Sequence, residues 1–423
     1  MTLAPIHRLV LSLLATVALG ATDAPRPWPK DPFLPVTAER IAALPAAEQP
    51  AWQAYWEKSL AQEKLLPDRK RAREYAPAKP LDGPPIPAIY STRLRLNSPE
   101  AWYATAEARS LADHLVTWQT PVGAWTKGGD YKRDAKPEDN HHDEFSGGTF
   151  DNDSTITELR FLARVIHAAA GAPDAAAQVE RWRASFLRGL AYIFDAQYPN
   201  GGFPQIYPLV GGYHDAITFN DDALVHILEL LHAIVAREDG LEFVPAESAA
   251  LARERLAAGR RNLLACQLRD AAGRPTIWGQ QHDALTLKPC AARNFEPAAE
   301  CSRESASLVR FLLTLPQPDA DVAAAIHGAM AWFDRHALHD VTWNFRAPAG
   351  TGLTPTPGAP PLWARFYEFE TGKPIFGERD RTIHYDVAEL GLERRNGYGW
   401  FNTAASELVP LYAKWKQSAP PAK

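Results

Sequence analysis

An internal repeat with a spacing of roughly 70 to 80 residues constrains this chain more than any other feature. A helix-like segment ending in Gln119 runs into Thr120-Pro121-Val122-Gly123-Ala124-Trp125-Thr126-Lys127, and another ending in Gln197 runs into Tyr198-Pro199-Asn200-Gly201-Gly202-Phe203-Pro204-Gln205. A third, through Gln267, reaches Gly273, Pro275 and Trp278. Each is a helix C-terminus followed by Pro and Gly turn chemistry and a ring, at an interval that suits one helix pair with its loops. The partner helices open on a second matched set. Thr149-Phe150-Asp151-Asn152-Asp153 precedes the amphipathic run 154–168, and its near copy Thr218-Phe219-Asn220-Asp221-Asp222 precedes 223–236. Weaker counterparts are Ser302-Arg303-Glu304-Ser305 and Tyr398-Gly399-Trp400-Phe401. Strand-like alternation is nearly absent from Ser98 onward. Stacked helical hairpins of this kind close into an all-α fold, an α/α toroid whose inner helices all start at one end. The mouth at that end collects the matched segments.

The flanks are read differently. His7 and Arg8 precede an apolar run from Leu9 to Leu19, followed by small residues, so residues 1–21 read as a signal peptide and the chain is expected to be exported, to the periplasm or beyond. No later stretch is long enough to insert the mature chain in a membrane. Residues 22–97, rich in Pro and Ala, read as an N-terminal extension that wraps the main domain, with one helix-like stretch from Gln49 to Lys64; residues 98–418 are the toroid. Three cysteines exclude a disulfide scaffold and fit no zinc spacing; a Cys290–Cys301 bridge and three free thiols both remain open. A net charge of −5 argues against nucleic acid as partner, so a polyanionic ligand would have to meet locally clustered cations. Thirteen Trp and thirteen Tyr are more than a core needs; core packing is the plain use, and stacking on sugars the other.

Asp or Asn just before a helix is usually a cap. A cap does not require three carboxylate or amide side chains in a row, twice, after the same Thr-Phe pair. Hard oxygen ligands from two adjacent loops suit a calcium ion, which takes six to eight oxygens in flexible geometry. Cations follow downstream: Lys288 and Arg293 after Gln281-His282-Asp283, then Arg365 within Trp363-Ala364-Arg365-Phe366-Tyr367-Glu368 and Arg379 within Phe376-Gly377-Glu378-Arg379-Asp380. They sit among turn residues and aromatics, and guanidinium forks match carboxylates.

Together with the run 149–165, the segment from Gln197 through Asp222 and Glu393-Arg394-Arg395-Asn396-Gly397-Tyr398, these motifs resemble family 10 pectate lyases in the family's order, over most of residues 104–415. The resemblance implies an (α/α)3 toroid, Ca2+ dependence and anti β-elimination on polygalacturonate by a monomer. It implies that Asp151, Asn152 and Asp221 hold calcium and the substrate carboxylate, with Asp222 the alternative to Asp221. It implies that Arg379 is the catalytic base and that Arg293 and Arg365 hold substrate; Lys288, by its place among the same turn residues, is a further candidate for holding substrate. Two departures stand out: Val122-Gly123-Ala124-Trp125 where the family tends to have Gly-Gly-Trp, and Asp153 in place of a usual Gly. An arginine base requires its pKa, ordinarily above 12, to be lowered by burial and neighbouring cations. Two competitors are an inverting glycoside hydrolase with Asp151 as acid and Asp221 as base, and a non-catalytic uronate-binding protein.

Overall fold

The computed structural model describes residues 24–28, 34–66, 69–70, 78–81, 94–136, 139, 145–316, 318–344 and 352–418; the signal-peptide reading of residues 1–21 lies outside them. The helices are α1 (Ala38–Ala42), α2 (Gln49–Glu63), α3 (Ala106–Trp118), α4 (Ile156–Ala168), α5 (Ala176–Ala196), α6 (Ala223–Ala236), α7 (Ala246–Cys266), α8 (Ser302–Thr314), α9 (Ala320–Arg335), α10 (Leu392–Asn396) and α11 (Leu408–Ser418). The inner helices α4, α6 and α8 pack side by side, and α5, α7 and α9 pack outside them. Burial follows from the sequence of α6, whose Ala223, Leu224, Val225, Ile227, Leu228, Leu230, Leu231, Ala233 and Ile234 are all buried: an inner helix is apolar nearly all round. The result is the expected helical toroid.

The repeat has a physical basis in its three glutamines. Each ends its helix with an extended backbone and turns its amide onto two carbonyls, one in its own turn and one on the next outer helix. Gln119 Nε2 donates to Gly123 O and Ser185 O, Gln197 Nε2 to Gly201 O and Arg255 O, and Gln267 Nε2 to Thr276 O and Ala325 O. Rings lock the first and third of these turns, where Trp125 Nε1 donates to Leu115 O and Trp278 Nε1 to Leu263 O, and Trp363 Nε1 makes the like bond to Phe333 O after α9. Gly123 and Gly201 stand at φ of +96° and +92° with the next outer helix against them, so a Cβ would collide with Arg188 O and Ala258 O. Trp125, Trp182, Trp278, Trp332 and Trp400 are wholly buried, so the core accounts for these rings.

Strand content departs from expectation. Between α9 and α11 the chain forms short strands, and a five-stranded antiparallel sheet runs in the order Arg26–Pro27, Thr382–His384, Pro374–Gly377, Phe366–Tyr367, Glu300–Cys301. Pieces of two to four residues are too short for a period-2 pattern to register in the sequence. Both Arg365 and Arg379 are carried by this segment. All three cysteines are free, which sets aside the Cys290–Cys301 bridge. The described part of the extension lies on the main body: Trp52 and Tyr55 of α2 are buried against Tyr198 and Tyr207, and Tyr55 donates to Ala196 O.

If the glutamines hold the repeats in register, Gln197→Ala strands two carbonyls and should lower stability by about 1–3 kcal/mol. Denaturant unfolding measures it; an unchanged midpoint would show that the turns are held by packing alone.

Candidate active site

Both acid pentads fold into the same strained turn. Asn152 and Asp153 have φ of 49° and 63°, and their repeat partners Asp221 and Asp222 have φ of 52° and 60°. Successive left-handed residues are costly, and Asn and Asp are the non-glycine residues that tolerate them best. The buried rings Phe150 and Phe219 anchor the turns, and each turn hangs from the loop of the following repeat: Phe150 N donates to Gln205 O, and Phe219 N and Asn220 N donate to Gln280 O. The two turns touch. Neither turn's acids cap the helix that follows: the N-cap residues Thr155 and Asp222 make no side-chain cap bond, and Asp151, Asp153 and Asp221 are directed elsewhere. The capping alternative therefore fails, and these carboxylates are free for another purpose.

The turns sort the acids. Asp151 is buried against the ammonium of Lys127, which also lies 4.3 Å from the centre of the Phe145 ring. Asp221 accepts from Asn220 Nδ2 at 2.8 Å, and burial followed by the charge of Asp151 pushes its carboxyl up to about 7. Asp222 turns away to Arg303 at 3.4 Å, and Asp153 turns to His226 Nδ1 at 2.6 Å. Of the alternatives left by the sequence, Asp221 is thus the one paired with Asp151. Asn152 lies on the same turn, half-buried.

Facing them is a group of four arginines around two rings. The Arg365, Arg394 and Arg293 guanidinium carbons lie 4.8, 5.5 and 5.8 Å from the centre of Tyr398; those of Arg394, Arg293 and Arg379 lie 3.9, 5.0 and 5.8 Å from that of Phe295. Each of the three arginines singled out from sequence has a buried carboxylate of its own. Arg293 donates from Nε and Nη2 to Glu296 at 2.8 and 2.6 Å, Arg379 from Nε and Nη2 to Glu393 at 2.8 and 3.0 Å, and Arg365 to Glu304 and, at 3.1 Å, to Asn220 Oδ1. Tyr398 Oη donates to Glu296 Oε1 at 2.7 Å. Arg365 and Arg293 are the guanidinium groups acting most strongly on Asp221, so the acid pair and the arginines share one site.

Two expectations need correction. Arg379 does not have a lowered pKa: the hydrogen bonds of Glu393 outweigh burial and hold it above its ordinary value. Of the four, the guanidinium that is pushed down is Arg394, by burial above all, with the charges of Arg379 and Arg293 adding to it against the opposing pull of Glu393. Lys288 stands on the exposed turn between Asp283 and Lys288, whose neighbours are Arg40 and Asn200, and among the described residues no hydrogen bond or ion pair joins its side chain to the acids or arginines.

Lys127, His214, Glu296, Glu393, Arg394 and Tyr398 complete the site without having been assigned a role from sequence. Lys127 closes the first repeat's turn, and Glu393, Arg394 and Tyr398 lie in the last matched motif; only proximity in the fold gives them a part. His214 is fully buried, with Nδ1 2.7 Å from Gln205 Oε1, and burial drives it down to about 3 against the pull of Asp151. It is neutral at ordinary pH and does not titrate as an acid–base group there.

The sequence matches the pectic acid lyase family over residues 119–409. Among solved structures, the family 10 polysaccharide lyase from Cellvibrio cellulosa is 28% identical with a TM-score of 0.65, covering 76% of this chain and 98% of that one. A mutant of the family 10 enzyme from that organism, in complex with trigalacturonic acid, is likewise 28% identical with a TM-score of 0.65, covering 74% and 95%. No curated protein matches.

The raised pKa of Asp221 carries a stability prediction. The folded state holds a proton that the unfolded chain releases between the ordinary 3.8 and about 7, so stability falls as pH rises through that window. In chelator at pH 8, Asp221→Asn should be more stable than wild type by on the order of 1–3 kcal/mol, and near pH 4 the two should coincide. Thermal unfolding at both pH values decides; equal stability at pH 8 would mean that Asp221 ionises freely.

Proposed function

Because the chain belongs to the pectic acid lyase family, we propose that it cleaves α-1,4-linked polygalacturonate by calcium-assisted anti β-elimination, giving 4,5-unsaturated oligogalacturonides. The observation that carries the reading is the juxtaposition of an acid pair with a group of arginines at one mouth. A neutral sugar has no use for so many guanidinium groups, whereas a uronate offers a carboxylate to each. The relative in complex with trigalacturonic acid supports an oligogalacturonate substrate.

Calcium fits the donor set. Asp151 and Asp221 bring carboxylates together on touching turns, Asn152 adds an amide oxygen, and burial with mutual repulsion holds Asp221 short of ionisation, which a cation would relieve. Among the described residues no cluster of three or more His, Cys, Asp or Glu side chains forms a metal site, so substrate carboxylate and water would complete the shell. The ion, when bound, supplies positive charge to the uronate carboxylate as negative charge develops on it.

In the reaction the C5 proton passes to the base, the C5–H electron pair forms the C4–C5 double bond, and the C4–O4 bond breaks, with the departing oxygen keeping that bond's electron pair and taking a proton from water, whose hydroxide takes the proton back from the base. Arg365 and Arg379 are placed to hold the carboxylate next to C5 and to stabilise the charge that builds there. For the base, the geometry supports Arg293 over the Arg379 of the family resemblance. The base must reach C5 rather than only the carboxylate; Arg293 acts on Asp221 whereas Arg379 is not among the groups that do, and the Arg293 side chain is 39% exposed against 23% for Arg379. Glu296 holds Arg293 in its cationic form, so deprotonation demands high pH, and an alkaline optimum follows. Export and monomeric action complete the proposal.

Purified protein mixed with polygalacturonate should generate the ultraviolet absorbance of an unsaturated uronide, abolished by chelator; new reducing ends without absorbance would point instead to hydrolysis. Asp151→Ala should lose most activity and recover part of it at high calcium. Lysine keeps the charge but not the planar fork, so Arg293→Lys should lower kcat on the order of 1000-fold with little change in KM, while Arg365→Lys shows its loss largely in KM. Should Arg379→Lys show the kcat collapse and Arg293→Lys not, the base is Arg379.

A further inference from the structure

The hairpin that carries Arg379 is held by the N-terminal extension, a part of the chain that precedes the family match beginning at residue 119. The tip runs from Gly377 to Thr382 between the strands Pro374–Gly377 and Thr382–His384. The tip closes on itself through Glu378 N to Thr382 O at 2.9 Å, Arg381 N to Glu378 O at 3.0 Å and Thr382 N and Oγ1 to Asp380 Oδ1 at 3.0 and 2.6 Å, with Arg381 at a left-handed φ of 64° and its Nε on Asn294 Oδ1 at 3.0 Å. The extension adds contacts from two sides. Residues 26–27 add a strand, pairing Arg26 with Ile383 and Pro27 with Thr382, and Trp28 N donates to Arg381 O at 3.0 Å. Arg26 Nη2 fastens that strand to buried Glu368 at 2.6 Å.

The second contact is more specific. Ala78 N donates to Arg379 O at 2.9 Å, and Leu81 O accepts from Glu393 N at 3.0 Å. Four residues of extension thus tie together the backbones of both partners in the Arg379–Glu393 ion pair, one hydrogen bond to each. Their fit is close: a Cβ on Gly391 would stand 3.0 Å from Leu81 O and 3.1 Å from Pro80 Cβ. Glu378, fully buried, adds a third tie, accepting from Arg379 N at 2.7 Å and from Gly391 N at 2.8 Å.

We propose that residues 78–81 are a positioning element of the active site, setting the reach of the Arg379 guanidinium toward substrate by fixing the backbones of Arg379 and Glu393 relative to each other. A guanidinium that must meet a carboxylate within a few tenths of an ångström is sensitive to small shifts in its hairpin. The extension is thereby part of the catalytic unit rather than a tether. This inference rests on the lyase reading above, with Arg379 in contact with substrate.

The test is a double-mutant cycle in the full-length chain. Ala78→Pro removes the donor to Arg379 O while adding little bulk, and Gly391→Ala crowds Pro80 and Leu81 from the opposite side. Each should lower kcat/KM on polygalacturonate about tenfold, mostly through KM, with wild-type helical content retained. In an Arg379→Ala background, read by residual activity and by trigalacturonate affinity, the same substitutions should add less than about a twofold loss. Equal losses in both backgrounds would make the contact merely structural and overturn the proposal, as would full activity in both folded variants. A wild type without lyase activity would instead sink the functional reading, so the two failures are distinguishable.

Discussion

Four guanidinium groups packed around Phe295 and Tyr398 repel one another, and their confinement is the constraint on which the rest of the mouth depends. Two devices hold them. The ring faces attract the cations, and Glu296, Glu304 and Glu393, each almost wholly buried, pair with Arg293, Arg365 and Arg379. Such pairs gain little net stability once desolvation is counted, but losing either partner leaves a charge buried alone. The arrangement therefore fixes position more than it stabilises the fold. Arg394 shares Glu393 with Arg379, and it is the one of the four whose pKa is pushed down, chiefly by burial and further by the charges of Arg379 and Arg293.

How much of this was legible in the sequence follows from distance along the chain. The toroid and the acid turns were, because a repeat writes its geometry twice: the same five-residue signature produces the same left-handed backbone, and the same glutamine produces the same pair of bonds. Asp221 and Asp222, adjacent and chemically identical, were not separable until the turn sent one toward Asp151 and the other toward Arg303. The arginines were visible as residues but their clamps largely were not. Glu296 lies three residues from Arg293, yet Glu304 lies 61 from Arg365 and Glu393 fourteen from Arg379, separations that only the fold closes. Lys288, near Arg293 in sequence, stands on a turn that opens at Asp283, whose carboxylate meets Arg40 of the extension.

The extension was legible as Pro-rich chain with one helix, not as a contributor to the site. Backbone hydrogen bonds leave no mark in composition, and the contacts of Ala78 and Leu81 use nothing but their amide and carbonyl groups. Only the large side chains, Trp52 and Tyr55, signalled that this segment packs on the toroid.

The two charged clusters at the mouth are incomplete in complementary ways. Lys127 is set against Asp151, while burial and then the charge of Asp151 hold the Asp221 carboxyl up at about 7 against the pull of Arg365 and Arg293. The arginines have carboxylates behind them, but Arg293 keeps a partly exposed guanidinium face. A lone anion would satisfy the arginines and worsen the repulsion at Asp151 and Asp221; a lone cation would do the opposite. On the proposed reading, a uronate carboxylate carrying a divalent cation would satisfy both at once, and the two clusters would thereby favour joint over separate binding. Any gain in calcium affinity on adding substrate must be matched by an equal gain in substrate affinity on adding calcium. His214 is held neutral by burial, so of the groups placed above at the two clusters Asp221 carries the pH dependence of that joint binding on the acid side and the arginines on the alkaline side.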